Sequence, residues 1–359
     1  MIAYCTNVHP ANDLPGILDQ LDRHAVGVRA RLGVDTLPLG LWLPASVARG
    51  LAEDRSARLG LRAELAARGL TVSTLNAFPY GDFHGEVVKH AVYRPSWADP
   101  RRLAYTADCA TVLADLMPDS ASYGSISTLP LAWREPWGDR DDAVAEAALT
   151  ELTRRLRGSG DRPIRLAVEP EPGCVLDTVA DAVAWLAGRV DPEYVGICLD
   201  TCHLAVSFAD PAATVAAIRA AGLSIVKVQA SAALEVAEPG SEEGRRAVAA
   251  YVEPRYLHQV RENTPDGVLA ADDLPDAFAT LPARHPWRVH FHMPLHVQPA
   301  PLRSTTDVLV AAMAAVEPDT HVEVETYTWN VLADAGDLTD GIAAELRWAR
   351  DHLWTGVSA

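Results

Sequence analysis

Short apolar runs alternate with amphipathic helical stretches along almost the whole chain. Runs rich in Val, Ile and Leu at Ile2–Cys5, Leu39–Leu43, Val72–Leu75, Ser122–Ser127, Ile164–Val168, Val195–Leu199, Ile225–Val228, Val289–Phe291 and Val322–Val324 predict strands. Ala-, Leu- and Arg-rich stretches between them predict helices over Asp54–Arg68, Arg101–Leu116, Asp141–Leu156, Val179–Gly188, Pro211–Ala221 and Leu338–Leu353. Strand and helix repeated in this order imply right-handed βαβ units and a parallel sheet. The expected fold class is therefore α/β, a (β/α)8 TIM barrel. The nine runs exceed by one the strands such a barrel needs, and the extra one belongs to a long excursion between Gln229 and Glu323. Its odd stretch, residues 231–286, carries EVAEPGSEEGRR, TPDGVLAADDLPD and LPARHPW. A structureless loop of that size is uncommon, so helical segments that lid the site are expected there. With no internal repeat and no low-complexity linker, residues 1–359 read as a single barrel domain with an insertion.

Composition narrows the partners. Of 359 residues, 31 are Lys or Arg and 48 Asp or Glu, a net charge of −17. That balance disfavours a nucleic-acid backbone, whose binding needs clustered cations. No run reaches the ~18 apolar residues of a membrane span. The start, MIAYCTNVHP, lacks a basic segment followed by an apolar core. A cytoplasmic protein is expected, with a small-molecule substrate, no nucleic acid, no membrane insertion, and a homodimer as a candidate assembly. The five cysteines are scattered and form no CxxC pair, which argues against a disulfide framework and a thiolate zinc site. GxGxxG, GxxxxGK[ST] and GxSxG are absent, so neither a nucleotide cofactor nor a nucleophile elbow has support.

The chemistry lies where the strands end. Barrel active sites are built at the C-terminal strand ends, and here those ends carry ligand-type residues. Ile164–Val168 runs into Glu169-Pro170-Glu171, Val195–Leu199 into Asp200-Thr201-Cys202-His203, and Ile225–Val228 into Gln229, with Lys227 on the same side of the pleat. His290-Phe291-His292 and Glu323-Val324-Glu325 follow, each pair sharing a face where the backbone is extended. Carboxylates turned to one mouth need compensating positive charge, and the chain offers little beyond Lys227 and either Arg94 or Arg134. A divalent cation (Mn, Mg or Zn) held by oxygen and imidazole ligands from these segments, Gln229 and His292 among the candidates, meets that need. Which of Glu169 and Glu171, and which of Glu323 and Glu325, faces the mouth stays open, because a one-residue shift exchanges them. Asn76, Tyr80 and His84 follow the third strand and suit a polyhydroxylated molecule. Arg134, after the fourth, is a candidate for a phosphate or carboxylate on it.

These residues resemble the xylose isomerase-like TIM barrels, a superfamily of sugar isomerases, ketose 3-epimerases, inosose dehydratases and endonuclease IV. The resemblance implies Glu169, Asp200 and Glu325 as metal ligands and His203 as a substrate contact. The seventh-strand ligand of the epimerase branch is a histidine, where this chain has Gln229. The segments LNAFPYGDFHGEVVKHAVYRPSW, SISTLPLAWR, VEPEPGCVLDT, HFHMPLHV and VEVETYTWNVL further resemble the EboE-type "metabolite traffic" proteins. The activity so implied is isomerisation or epimerisation of a small sugar or cyclitol, with or without a phosphate. Glu169 (or Glu171) and Glu325 (or Glu323) would move the proton, and Lys227 would serve as a second electrophile. Two other readings stand beside it: a metal-dependent phosphoesterase of the endonuclease IV type, and a non-catalytic metabolite-binding barrel, which Gln229 favours.

Overall fold

A computed structural model describes residues 2–158, 160, 162–332 and 336–353. Strands β1 (Ile2–Cys5), β2 (Leu37–Trp42), β3 (Leu70–Asn76), β4 (Gly124–Thr128), β5 (Ile164–Val168), β6 (Val195–Asp200) and β7 (Ile225–Ala230) run parallel in sequence. The chain then enters the insertion, with β8 (Leu234–Val236), β9 (Val260–Thr264), β10 (Gly267–Ala271), β11 (Trp287–Val289) and β12 (Arg303–Ser304). It returns at β13 (His321–Val324), which pairs with both β7 and β1 and closes the eight-stranded barrel.

Local chemistry sets the helices between the strands. Asp54, Asp99, Asp210 and Asp337 each accept a backbone N–H of the first turn of the helix they precede. Pro100 and Pro211 occupy first helical positions, where no N–H is required. The helices bury aliphatic faces, such as Leu61 and Leu65 or Leu149 and Leu152, against the barrel wall.

The insertion differs from its expected form. It is a five-stranded antiparallel sheet, ordered β10-β9-β11-β8-β12, with only two short helices, Glu242–Ala249 and Leu274–Thr280. Thr264 pairs with Gly267 across Pro265-Asp266, so the Thr-Pro-Asp-Gly signal makes a hairpin. The sheet also reaches beyond residue 286, to Ser304. It has its own apolar core, in which Leu234, Val260, Trp287, Val289 and Phe291 pack together. Three ion pairs join it to loops after barrel strands: Lys89 to Asp273, Arg134 to Asp272, and Arg261 to Asp177 at 2.7 Å.

Candidate metal centre and active-site cavity

Several strand ends load one mouth. Glu169 follows β5, its backbone N–H donating to Thr128 O at 3.0 Å. Asp200 ends β6 and caps the next helix, where its Oδ1 accepts from His203 N and Ser231 Oγ, both at 2.8 Å. Glu325 follows β13 and lies beside β7, with its N–H on Ala230 O. Ligand oxygens of Glu169, Asp200 and Glu325 all lie within 4.8 Å of one another, and all three residues are buried. Glu169 Oε2 and Asp200 Oδ2 are buried without a hydrogen-bond partner. Buried carboxylate oxygens without partners are strongly penalised unless a cation neutralises them. Burial, reinforced by neighbouring carboxylates, pushes Glu169 and Glu325 well above the ordinary carboxylate range. The donor set fits a divalent metal ion.

A second group of donors borders the first. His203 Nδ1 lies 2.8 Å from Pro170 O and His292 Nδ1 lies 2.8 Å from Glu325 O. A carbonyl oxygen only accepts, so each of these nitrogens carries a proton, and in the neutral ring Nε2 is the lone pair. His292 Nε2, otherwise unpartnered, lies 3.9 Å from Asp200 Oδ2. His203 Nε2 lies 3.0 Å from His290 Nε2. Burial pulls His290 well below its ordinary range and His292 to about 4, so both are neutral near pH 7, the form that ligates metals. Glu171 completes this group: it accepts from Tyr93 OH at 2.7 Å, keeps Oε2 free, and is raised to about 7 by burial.

These groups line a cavity of about 60 Å³. Asn7, Asn76, Glu169, Glu171, His203, His290, His292 and Glu325 face it, with Tyr93, Tyr256 and Tyr327 as aromatic walls. Asn7 Nδ2 and Asn76 Nδ2 donate to Glu325 Oε1 at 2.6 and 2.9 Å.

The other sequence candidates lie elsewhere. Glu323 points into the barrel interior, where Lys227 pairs with it at 2.6 Å. Lys227 is therefore the floor beneath the cavity and not an electrophile lining it. Gln229 is fully buried, registers with Asp200 on β6 and Glu323 on β13, and leaves both amide atoms unpartnered without reaching the cavity lining. Tyr80 packs edge-on against Tyr105, 5.2 Å between ring centres, and lies outside the lining. His84 Nε2 is bound to Asn7 O at 2.7 Å and lies behind that wall. Arg134 is spoken for by Asp272 and by Gly173 O, which removes it as an anion anchor in the cavity. His290 and His292 both reach the mouth, although β11 ends at Val289. The chain turns there through a Phe291 N–H to Val289 O bond at 2.8 Å, and Phe291 packs into the insertion core. Asn7 escaped the sequence reading although it follows β1 by two residues, and the strand-end rule applies to it equally. Gln259, from the insertion, carries no local signal at all.

A family model described as xylose isomerase-like TIM barrel matches residues 29–254, which span β2 to the insertion's first helix. A xylose isomerase-like TIM barrel protein from Mycobacterium smegmatis, solved in complex with magnesium, superposes with a TM-score of 0.54. It is 15% identical over 98% of this chain and 97% of that one. D-Psicose 3-epimerase from Clostridium cellulolyticum H10, solved with D-tagatose, has a TM-score of 0.54 and 14% identity over 98% of each chain. At these identities the likeness is one of fold. No curated protein matches the chain in sequence.

Proposed function

Because the chain belongs to the xylose isomerase-like TIM barrel family, we propose that it is a divalent-metal-dependent isomerase or epimerase of a small sugar or cyclitol. The observation that carries this reading is the buried carboxylate trio with its unpartnered Glu169 and Asp200 oxygens. Glu169, Asp200 and Glu325 would hold the cation, with His292 beside them. The bound cation would supply stabilisation of negative charge developing on substrate oxygens. Glu169 and Glu325 both face the cavity and are the groups that would take a proton from carbon and return it. Asn7 and Asn76 hold Glu325 Oε1 and so fix which lone pairs it can offer. His203, turned by Pro170 O, faces the cavity with its Nε2 beside that of His290, where it would border both the cation and the substrate. Tyr93, Tyr256 and Tyr327 suit the CH faces of a sugar ring.

At about 60 Å³ the cavity is well below the ~300 Å³ of an ordinary small-ligand pocket. Residues of the 83–93 loop and Tyr256-Leu257 of the insertion also line it, so these segments border the space a larger substrate would have to widen. The EboE-type resemblance would put the substrate in a metabolite biosynthesis or traffic pathway.

A metal-dependent phosphoesterase of the endonuclease IV type is the second reading, favoured by the His203, His290 and His292 donors beside the carboxylate trio. The test is solvent-deuterium incorporation next to the carbonyl, measured by NMR across a panel of ketoses and inososes with metal-loaded protein. Exchange that disappears in Glu325→Gln supports the isomerase. No exchange, with two or three tightly held zinc ions and phosphoester hydrolysis, replaces it with the second reading.

A further inference from the structure

His290 differs from the other two imidazoles in what holds its Nδ1. That nitrogen meets Gln259 Oε1, a side chain of the insertion, at 2.7 Å. The orientation of the Gln259 amide follows from its other end, where Nε2 lies 2.9 Å from Pro172 O and 3.1 Å from Tyr93 OH. Pro172 O only accepts, so the amide nitrogen must be there and the amide oxygen must face His290. His290 Nδ1 therefore carries the proton, and its Nε2 is a lone pair. In its neutral form His203 has a lone pair at Nε2 for the same reason, and the two nitrogens, 3.0 Å apart, then have no proton between them. Left alone, the pair would relax by moving one proton from His290 Nδ1 to Nε2, making an ordinary N–H···N bond. Gln259 opposes that relaxation by accepting at Nδ1.

We propose that Gln259 is a positioning residue that sets the His290 tautomer and so keeps two imidazole lone pairs converging on a cation site. The proposal rests on reading this mouth as a metal centre. The insertion then supplies not only His290 and His292 to the mouth but also the group that orients one of them, as the other ring nitrogen of a ligating histidine is normally held by a hydrogen-bond acceptor. Gln259 also donates to Tyr93 OH, so the Tyr93 proton is directed to Glu171 Oε1, and one amide arranges two neighbouring donors. The competing acceptor for His290 Nδ1 is Glu171 Oε1 at 3.6 Å, which Tyr93 already occupies.

The test uses 15N-histidine NMR of metal-free full-length protein near neutral pH, together with zinc affinity by chelator competition, for the wild type, Gln259→Met and Gln259→Glu. Wild type should show the Nδ1–H tautomer at His203, His290 and His292. Gln259→Met, close in shape, should switch His290 alone to Nε2–H and lower zinc affinity about 10–100-fold, the range for losing such a partner. Its metal-free melting temperature should not fall in proportion, because the lone-pair conflict is relieved. Gln259→Glu still accepts at Nδ1 but, when ionised, sets a second oxygen against Pro172 O, so it should keep the Nδ1–H tautomer at a cost in melting temperature. An Nε2–H tautomer at His290 in the wild type overturns the proposal, even if Gln259→Met fails to fold. So does a Gln259→Met protein that keeps both tautomer and affinity. Wild-type protein with the expected tautomers and no zinc binding would refute the metal reading while upholding the role of Gln259 in setting the tautomer.

Discussion

Lys227 Nζ lies 2.6 Å from Glu323 Oε1 across two neighbouring barrel strands, with both side chains fully buried. Burial depresses the Lys227 ammonium, and Glu323 together with Cys198 and Cys5 more than offsets it, leaving its proton affinity raised. The pair decides which glutamate after the eighth barrel strand faces the mouth: Glu323 is neutralised within the barrel, and Glu325 is left to the cavity. Removing one partner strands a buried charge, so Lys227→Met should destabilise by about 3–5 kcal/mol. Lys227→Met with Glu323→Leu should recover most of that loss. Urea unfolding of the single and double variants measures both values.

Gly40 exists to make room for the same carboxylate. A Cβ at this position would fall 1.2 Å from Glu323 Oε2, at the irregular β2/β3 register. Gly40→Ala should cost about 1–3 kcal/mol or more, because a packed interior has no space to move the ion pair into. Combining it with Glu323→Ala should remove most of the penalty in the same unfolding assay.

Asn7 and Asn76 share Glu325 Oε1. Alanine at either position should leave the circular dichroism spectrum unchanged and weaken divalent-metal binding by about 10–100-fold, as loss of a ligand's supporting hydrogen bond does. Calorimetric titration of metal-stripped protein reads the change directly.

Glu345 gives a pH dependence whose sign is fixed. It is buried, accepts from Thr326 Oγ1, Trp329 Nε1 and Leu295 N, and is pushed from 4.5 to about 7, burial outweighing those hydrogen bonds. The folded state thus keeps this proton longer than the unfolded chain. Its contribution is full below about pH 4.5 and is lost as pH rises through about 7. Glu345→Gln should flatten the stability profile across that window by on the order of 2–3 kcal/mol relative to wild type. Unfolding free energies at half-unit pH steps check it.

The barrel was legible because its strands are buried on both faces and stand as continuous apolar runs between amphipathic helices. Ile2–Cys5 and Ile164–Val168 fall on β1 and β5 residue for residue. The insertion was less legible: its strands are short and carry polar residues such as Arg261, Glu262 and Asn263, so it read as helical segments, with one strand expected at Val289–Phe291 where β11 is Trp287–Val289. The strand-end rule brought forward Glu169, Asp200 and Glu325, which the fold gathers within 4.8 Å. The same rule could not tell that Lys227 is consumed by Glu323, or that Arg134 is consumed by Asp272, since both partners are distant in sequence. Gln259 owes its place to tertiary structure alone.

The central claim is that Glu169, Asp200 and Glu325 hold a divalent cation. Metal per chain, determined by elemental analysis after stripping and reloading wild type and Asp200→Asn with Mn, Mg or Zn, tests it most directly. At least one equivalent in the wild type, lost in a folded Asp200→Asn, is the predicted result. An empty wild-type site at saturating metal, or unchanged content in Asp200→Asn, would contradict it.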